Sequence, residues 1–229
     1  MPMKNNLLAE TRIILTPRNI SQLKDSKKNY ASLVLERLAR KNLIKKVKKG
    51  KYTSSSNIFL IATNIIYPSY ISFWSGIAYK GCTEQILSTI FVACTKKTRN
   101  ISFENYKIKF IKLSKTNFFG YKKETAENGE IFVADNEKLL IDCLLYPRYS
   151  GNIDEVVKLI QNVEINAEKL EKYLLKIKNK SLIKKVGYLL EEYKKINIKI
   201  KIKDRNYVFL PIKKQEKINK KWRIKFNDN

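Results

Sequence analysis

The stretch DSKKNYASLVLERLARKNLIKKVKKGKYT (residues 25–53) decides how this chain is read. Ala31, Val34, Leu35 and Leu38 recur at i, i+3, i+4 and i+7, the spacing of an amphipathic helix. Asp25 or Ser26 can cap it, and it runs to about Lys41. Its other face shows Lys28, Asn29, Ser32, Arg37 and Arg40. Asn42 suits the left-handed position that ends a helix. Leu43-Ile44, then Lys45-Lys46-Val47, a turn at Lys48-Lys49-Gly50 and Lys51-Tyr52-Thr53 follow, predicting a two-stranded wing with a basic tip.

Upstream, residues 4–15 can form a first helix with Leu7, Leu8 and Ile14 inward. Thr16-Pro17 starts a second helix over residues 18–24, with Ile20 and Leu23 on one face. Three helices and a wing in this order predict a winged helix-turn-helix in residues 1–55. Its third helix would enter the major groove of duplex DNA, N-terminal half leading. In that pose Asn29 reads adenine, and Arg37 or Arg40 takes guanine or phosphate. Arg18, Lys27, Lys28, Tyr30 and Ser32 suit the backbone. Lys45, Lys46, Lys48, Lys49 and Lys51 suit phosphates or the minor groove. The plainer alternatives are a solvated basic face and a protein-binding winged helix.

Charge supports the sharper reading. The 229 residues include 47 Lys or Arg, 21 Asp or Glu and no His, a net +26. Residues 1–53 hold 14 basic and 3 acidic side chains, so under a quarter of the chain carries over two-fifths of the excess. Such a field attracts polyanions, nucleic acid first and an anionic membrane surface second. Only 8 of the 47 are Arg. Much of the Lys therefore reflects general composition, because Arg is the residue of bidentate recognition.

The remainder reads as a mixed α+β region, residues 56–229, largely helical over about 150–195. Helices are expected at 57–66 and 69–80 with Gly81 as a stop, and strands at 90–94 and 106–113. Asn128-Gly129 signals a hairpin between residues 118–122 and 130–133. Asp135 caps a helix through Leu145, stopped by Pro147. Helical spacing recurs at 153–163, 167–177 and 182–195, and a hairpin pairs 198–202 with 207–210. Trp222 is the one anchor in a basic tail. The apolar run 58–77 is broken by Asn64, Pro68, Ser69 and Ser72, so no membrane span is expected. Ile13-Ile14-Leu15 is too short for a leader, and a cytoplasmic protein is expected.

Catalytic chemistry has little support. Cys82, Cys94 and Cys143 fit no zinc spacing and read as buried thiols. Without His, a Ser or Cys nucleophile lacks its usual base, and no Gly loop cradles phosphate. Asp135, Glu137 and Asp142 could hold a metal for a nuclease or nucleotidyltransferase. The preferred reading is structural: an N-cap, a first-turn acid and an i, i+4 partner of Lys138. No cofactor and no metal are expected. The aromatic run at 67–74 either stacks on bases, making an RNA-binding module, or is core.

Four stretches, in order, carry a family likeness. They are Leu43-Ile44 with Lys49-Gly50-Lys51-Tyr52; Ser69, Tyr70 and Ser72 followed by Ser75-Gly76 through Gly81; Asp135-Asn136-Glu137-Lys138 through Asp142; and Gly187-Tyr188 with Trp222. Taken together they resemble the AbiEi-type antitoxins of type IV toxin–antitoxin systems. Gly76 and Lys80 depart from that family's pattern. The resemblance implies a repressor of its own operon that binds inverted repeats, as a homodimer on DNA. It also implies an antitoxin that counteracts a nucleotidyltransferase-like toxin without a stable complex. A stand-alone regulator without a toxin remains open, as does the enzyme.

Overall fold

In the computed structural model, residues 12–23, 25–126 and 129–227 are described. Two compact units interleave along the chain, whereas the sequence divides it near residue 55. The first gathers the described residues up to 71 with 88–112, 123–126 and 129–132; the second gathers 72–87, 113–122 and the described residues from 133.

The first unit begins with a backbone exchange. Leu15 N–H donates to the Tyr52 carbonyl at 2.8 Å and Tyr52 N–H returns the bond at 2.9 Å. Residues 13–15 are therefore not helical, which corrects the end of the expected first helix; Leu7 and Leu8 lie outside the described residues. Helix α1 is Pro17–Leu23, with Thr16 Oγ1 accepting from Asn19 N at 3.2 Å. Ile20 is buried as expected, but Leu23 is exposed. Helix α2 is Lys28–Arg40. Its N-cap is Lys27, without a side-chain bond, rather than Asp25 or Ser26. A tight turn takes those two residues instead: Ser26 N donates to the Ser21 carbonyl, Ser21 Oγ donates to the Ser26 carbonyl, and Asp25 adopts φ 44°. Ala31 and Leu35 pack with Leu15, Ile20, Ile44 and Tyr52 in one small core. Asn42 takes the left-handed conformation, and Leu43 N–H reaches back to the Leu38 carbonyl. Strands β1 (Lys45–Lys48) and β2 (Lys51–Thr53) then pair antiparallel, with Gly50 at φ 72° in the turn.

The rest of this unit is built on a sheet. Helix α3 (Ile58–Asn64) is capped by Asn57, whose side chain accepts from Phe59 N and Leu60 N. Ser69–Ile71 form strand β3, not the start of a helix. They pair antiparallel with β4 (Thr89–Cys94), Tyr70 opposite Ala93. The helical spacing belongs only to the segment after Ser72, and a short buried strand has no period of its own to betray it. Strands β5 (Ile101–Phe103), β6 (Tyr106–Lys112), β7 (Tyr121–Ala126) and β8 (Gly129–Ala134) complete the order β5-β6-β4-β3-β8-β7. The sheet is mixed: β4 and β6 are parallel, and β5 and β6 antiparallel.

The second unit is mainly helical: α4 (Phe73–Tyr79), α5 (Asn136–Leu145), α6 (Ile153–Asn162), α7 (Ala167–Ile177) and α8 (Lys180–Lys194). Asp135, Asn152, Asn166 and Asn179 cap the last four, each side chain accepting a backbone N–H three residues on. No ladder forms at 198–202, which corrects the expected hairpin. Its Ile/Lys alternation sets burial without pairing, and Lys199 N–H donates to Glu171 instead. Strand β9 (Val208–Lys213) lies parallel to β11 (Ile224–Asn227), which pairs antiparallel with β10 (Ile218–Asn219). The chain is α+β, and no described helix is long and apolar enough to cross a membrane.

Candidate nucleic-acid interface

Because α2 buries Ala31 and Leu35, its geometry turns Asn29, Leu33, Glu36, Arg37 and Arg40 outward as a ridge, and all five are exposed. Lys28 and Tyr30 flank the first turn and are exposed; Ser32 Oγ is engaged with the Lys28 carbonyl at 3.2 Å. No side chain caps this first turn and no acid lies in it, which suits phosphate oxygens near a helix N-terminus. Arg18 and Lys27 are exposed as well. Leu33 and Glu36 join this face although neither is a cation or an amide. Their positions, four and seven residues after Asn29, are the signal that finds them.

The hairpin lysines divide. Lys48 and Lys49 sit at the tip, and the Lys46 ammonium lies 6.0 Å from the Tyr52 ring. Lys45 pairs with Glu104, so part of its charge is met internally. Lys51 Nζ donates to the Ile65 carbonyl. Burial, then repulsion from Lys48, lowers its pKa. Lys51 is thus held by its own unit, while Lys46, Lys48 and Lys49 make the outward basic surface.

In the second unit the three acids expected at α5 do not converge. Asp135 accepts from Lys138 N and from Tyr173 Oη, both at 2.8 Å. Glu137 accepts from Asn166 N, and Lys169 bridges the two carboxylates at 3.1 and 2.8 Å. Burial works to raise the Glu137 carboxyl, but the Lys169 and Asn166 bonds together hold it below its usual range. Burial and Asp135 push the Tyr173 hydroxyl up to about 12. Asp142 binds Lys138 Nζ and accepts from Ser72 Oγ. Among the described residues no three His, Cys, Asp or Glu side chains are grouped to hold a metal ion. The three cysteines are free and buried, and burial pushes Cys143 up to about 12, far from a reactive thiolate.

The family-like residues sit in supporting positions. In the first unit Ser69 Oγ donates to the Thr63 and Ile66 carbonyls, and Tyr70 is buried. In the second, Ser75 is buried, Gly81 ends α4 at φ 69°, and an added Cβ at Gly76 would meet Leu139 at 2.4 Å. Gly187 faces the Trp222 ring, and Tyr188 lies 5.0 Å from Phe226. The aromatic run is core: Tyr70 and Phe73 are fully buried, and of its rings only Tyr67, 72% exposed, is an exposed large hydrophobic.

No family model matches the sequence, and no curated protein matches it. The fold is similar to the crystal structure of the RV2827C protein from Mycobacterium tuberculosis. The two share 13% identity with a TM-score of 0.61, over 96% of this chain and 88% of that one.

Proposed function

We propose that α1, α2 and the β1–β2 hairpin act as a winged helix-turn-helix that binds double-stranded DNA. The observation that carries this reading is the α2 ridge. One helix presents Asn29, Arg37 and Arg40 outward, and a hairpin tipped by Lys48 and Lys49 follows it directly. A single bridge from Leu15 to Tyr52 holds the segment before α1 against β2, on the side where a wing sheet takes its third strand. On this reading α2 enters the major groove. Asn29 reads adenine and Arg37 and Arg40 read guanine or neutralise phosphate. Leu33 suits a thymine methyl, and Glu36 accepts from a cytosine amine. Lys46, Lys48 and Lys49 neutralise phosphate.

The wider reading is a sequence-specific repressor that acts as a homodimer on an inverted-repeat operator and is not an enzyme. Its antitoxin activity against a nucleotidyltransferase-like toxin rests on the AbiEi resemblance. Fluorescence anisotropy of the full chain with its own upstream DNA tests the reading. Arg37→Ala with Arg40→Ala should weaken binding at least about tenfold, as losing good base or charged phosphate contacts does. Unchanged affinity overturns it. Co-expression with the product of a neighbouring gene tests the antitoxin part: relief of growth arrest by the chain supports it, and none overturns it.

A further inference from the structure

A second basic segment lies far from the first in sequence. Residues 195–225 hold twelve Lys or Arg against two acids, a density above that of residues 1–53. Within it, β9 and the residue before it alternate. Leu210 and Ile212 are buried, while Tyr207, Phe209, Pro211 and Lys213 are exposed. The register sets Phe209 beside Lys225, and Lys225 beside Ile218, so one row across the sheet reads aromatic, cation, aliphatic, all open to solvent. Phe209 is 53% exposed, and the Lys225 ammonium lies 5.9 Å from the Tyr207 ring. Phe209, Pro211 and Lys213 also border a cleft of about 770 Å³ whose other walls include Gly151, Ile153 and Tyr193.

Exposed phenyl surface is costly to leave in water, and an aromatic set among lysines on a sheet matches how proteins hold unpaired bases. We propose that this face binds single-stranded nucleic acid. Bases stack on Phe209 and Tyr207, the phosphates lie against Lys213 and Lys225, and the cleft beside Phe209 has room for a base. Stacking selects single strands because a duplex hides its base faces. The apolar row is short and has Lys225 at its middle, which suits alternating base and phosphate better than it suits a lipid surface.

The proposal is independent of the N-terminal reading, and the test keeps the two apart. The full chain with Arg37, Arg40, Lys48 and Lys49 changed to Ala serves as parent, and fluorescein-labelled oligo-dT and oligo-U of about 15 nucleotides, near one binding-site length, serve as probes. The parent should bind them, and adding Tyr207→Ala with Phe209→Ala should weaken binding about tenfold or more. Lys213→Gln with Lys225→Gln should flatten the salt dependence instead. Phe209→Trp guards against misfolding, since it should retain binding and its added fluorescence should be quenched by oligo-dT. Equal binding by the parent and the Tyr207/Phe209 variant overturns the proposal. Unquenched indole fluorescence from the Phe209→Trp protein at saturating probe overturns it too. So does binding of the parent to vesicles of phosphatidylserine and phosphatidylcholine, or its self-association in sedimentation, when Phe209→Ala abolishes that binding but leaves oligonucleotide affinity intact.

Discussion

Lys138 and Asp142 form an ion pair in which neither side chain reaches solvent. One turn of α5 separates them, Ser72 Oγ donates to the second Asp142 oxygen at 2.8 Å, and the Lys138 ammonium lies 5.1 Å from the Phe119 ring. Removing one partner leaves a buried charge without its counterion. Asp142→Asn keeps an acceptor for Ser72 and still strands Lys138, so it should cost about 3–5 kcal/mol. Lys138→Met alone strands the Asp142 carboxylate in the same way, whereas Lys138→Met combined with Asp142→Asn removes both charges, leaves Ser72 its acceptor and should fall much closer to wild type than the two singles sum to. Urea denaturation of the two singles and the double decides it. Additive costs in the double would show that the pair is not coupled.

A second close approach is held by a missing side chain. A Cβ on Gly187 would sit 2.2 Å from Trp222 Cζ3, so α8 and the ring touch only because residue 187 is glycine. Gly187→Ala should lose about 1–3 kcal/mol through overpacking, despite alanine's better helix propensity. Near-ultraviolet circular dichroism should change with it, because the indole must shift. A more stable Gly187→Ala protein with an unaltered tryptophan spectrum would contradict this.

The same indole reports on pH. Trp222 Nε1 donates to Glu191 at 2.6 Å and Lys221 pairs with that carboxylate at 2.7 Å. The bonds from Lys221 and then Trp222 hold the Glu191 carboxyl below its usual range. A depressed carboxyl contributes stability that is fully present above its unfolded value, about 4.3, and is lost as pH falls through the native one. Stability should therefore drop on acidification below about pH 4.3, and Glu191→Gln should flatten that limb while lowering stability at neutral pH. Thermal melts from neutral to strongly acidic pH, followed by tryptophan emission, check both parts.

Much of the first fold element was legible because it is local. The α2 period, Asn42 at its end and Gly50 in the hairpin each follow from residues within a few positions. The cap at Asp135 was legible, whereas the one expected at Asp25 or Ser26 falls to Lys27 because a turn back to Ser21 takes those two residues. What failed depends on distant partners. The Ser69–Ile71 strand needs β4, β11 reaches β9 in parallel, and Leu15 takes its form from Tyr52. The candidate interface was half legible for the same reason. Residue type marked Lys51 as a phosphate ligand, and only the distant Ile65 carbonyl shows it engaged. Glu36 escapes a reading led by cations, although the helical ridge carries it between Leu33 and Arg40.

That ridge supplies the most discriminating test. Asn29 stands at the leading end of α2, where an amide can read a base, while Lys48 and Lys49 sit at the hairpin tip as point charges. Losing a good base contact costs roughly 1–3 kcal/mol and relaxes preference at one position. Losing a phosphate contact weakens every sequence alike and lowers the salt slope by about 0.9 per contact. Asn29→Ala should therefore lose operator affinity, keep its affinity for random duplex and keep its salt slope. Lys48→Ala with Lys49→Ala should weaken both duplexes in similar proportion and flatten the slope by up to about 1.8, two contacts' worth. Glu36→Gln removes a negative charge from the same ridge, so it should tighten random duplex binding and narrow the gap between operator and random DNA. Lys51→Ala should differ from the tip lysines, because its ammonium serves the Ile65 carbonyl: stability falls while the salt slope stays. Anisotropy titrations across a series of salt concentrations, with urea denaturation added for Lys51→Ala, resolve all four variants. If Asn29→Ala and the tip variant change affinity and slope in the same way, α2 does not lie in the major groove with its N-terminal half leading.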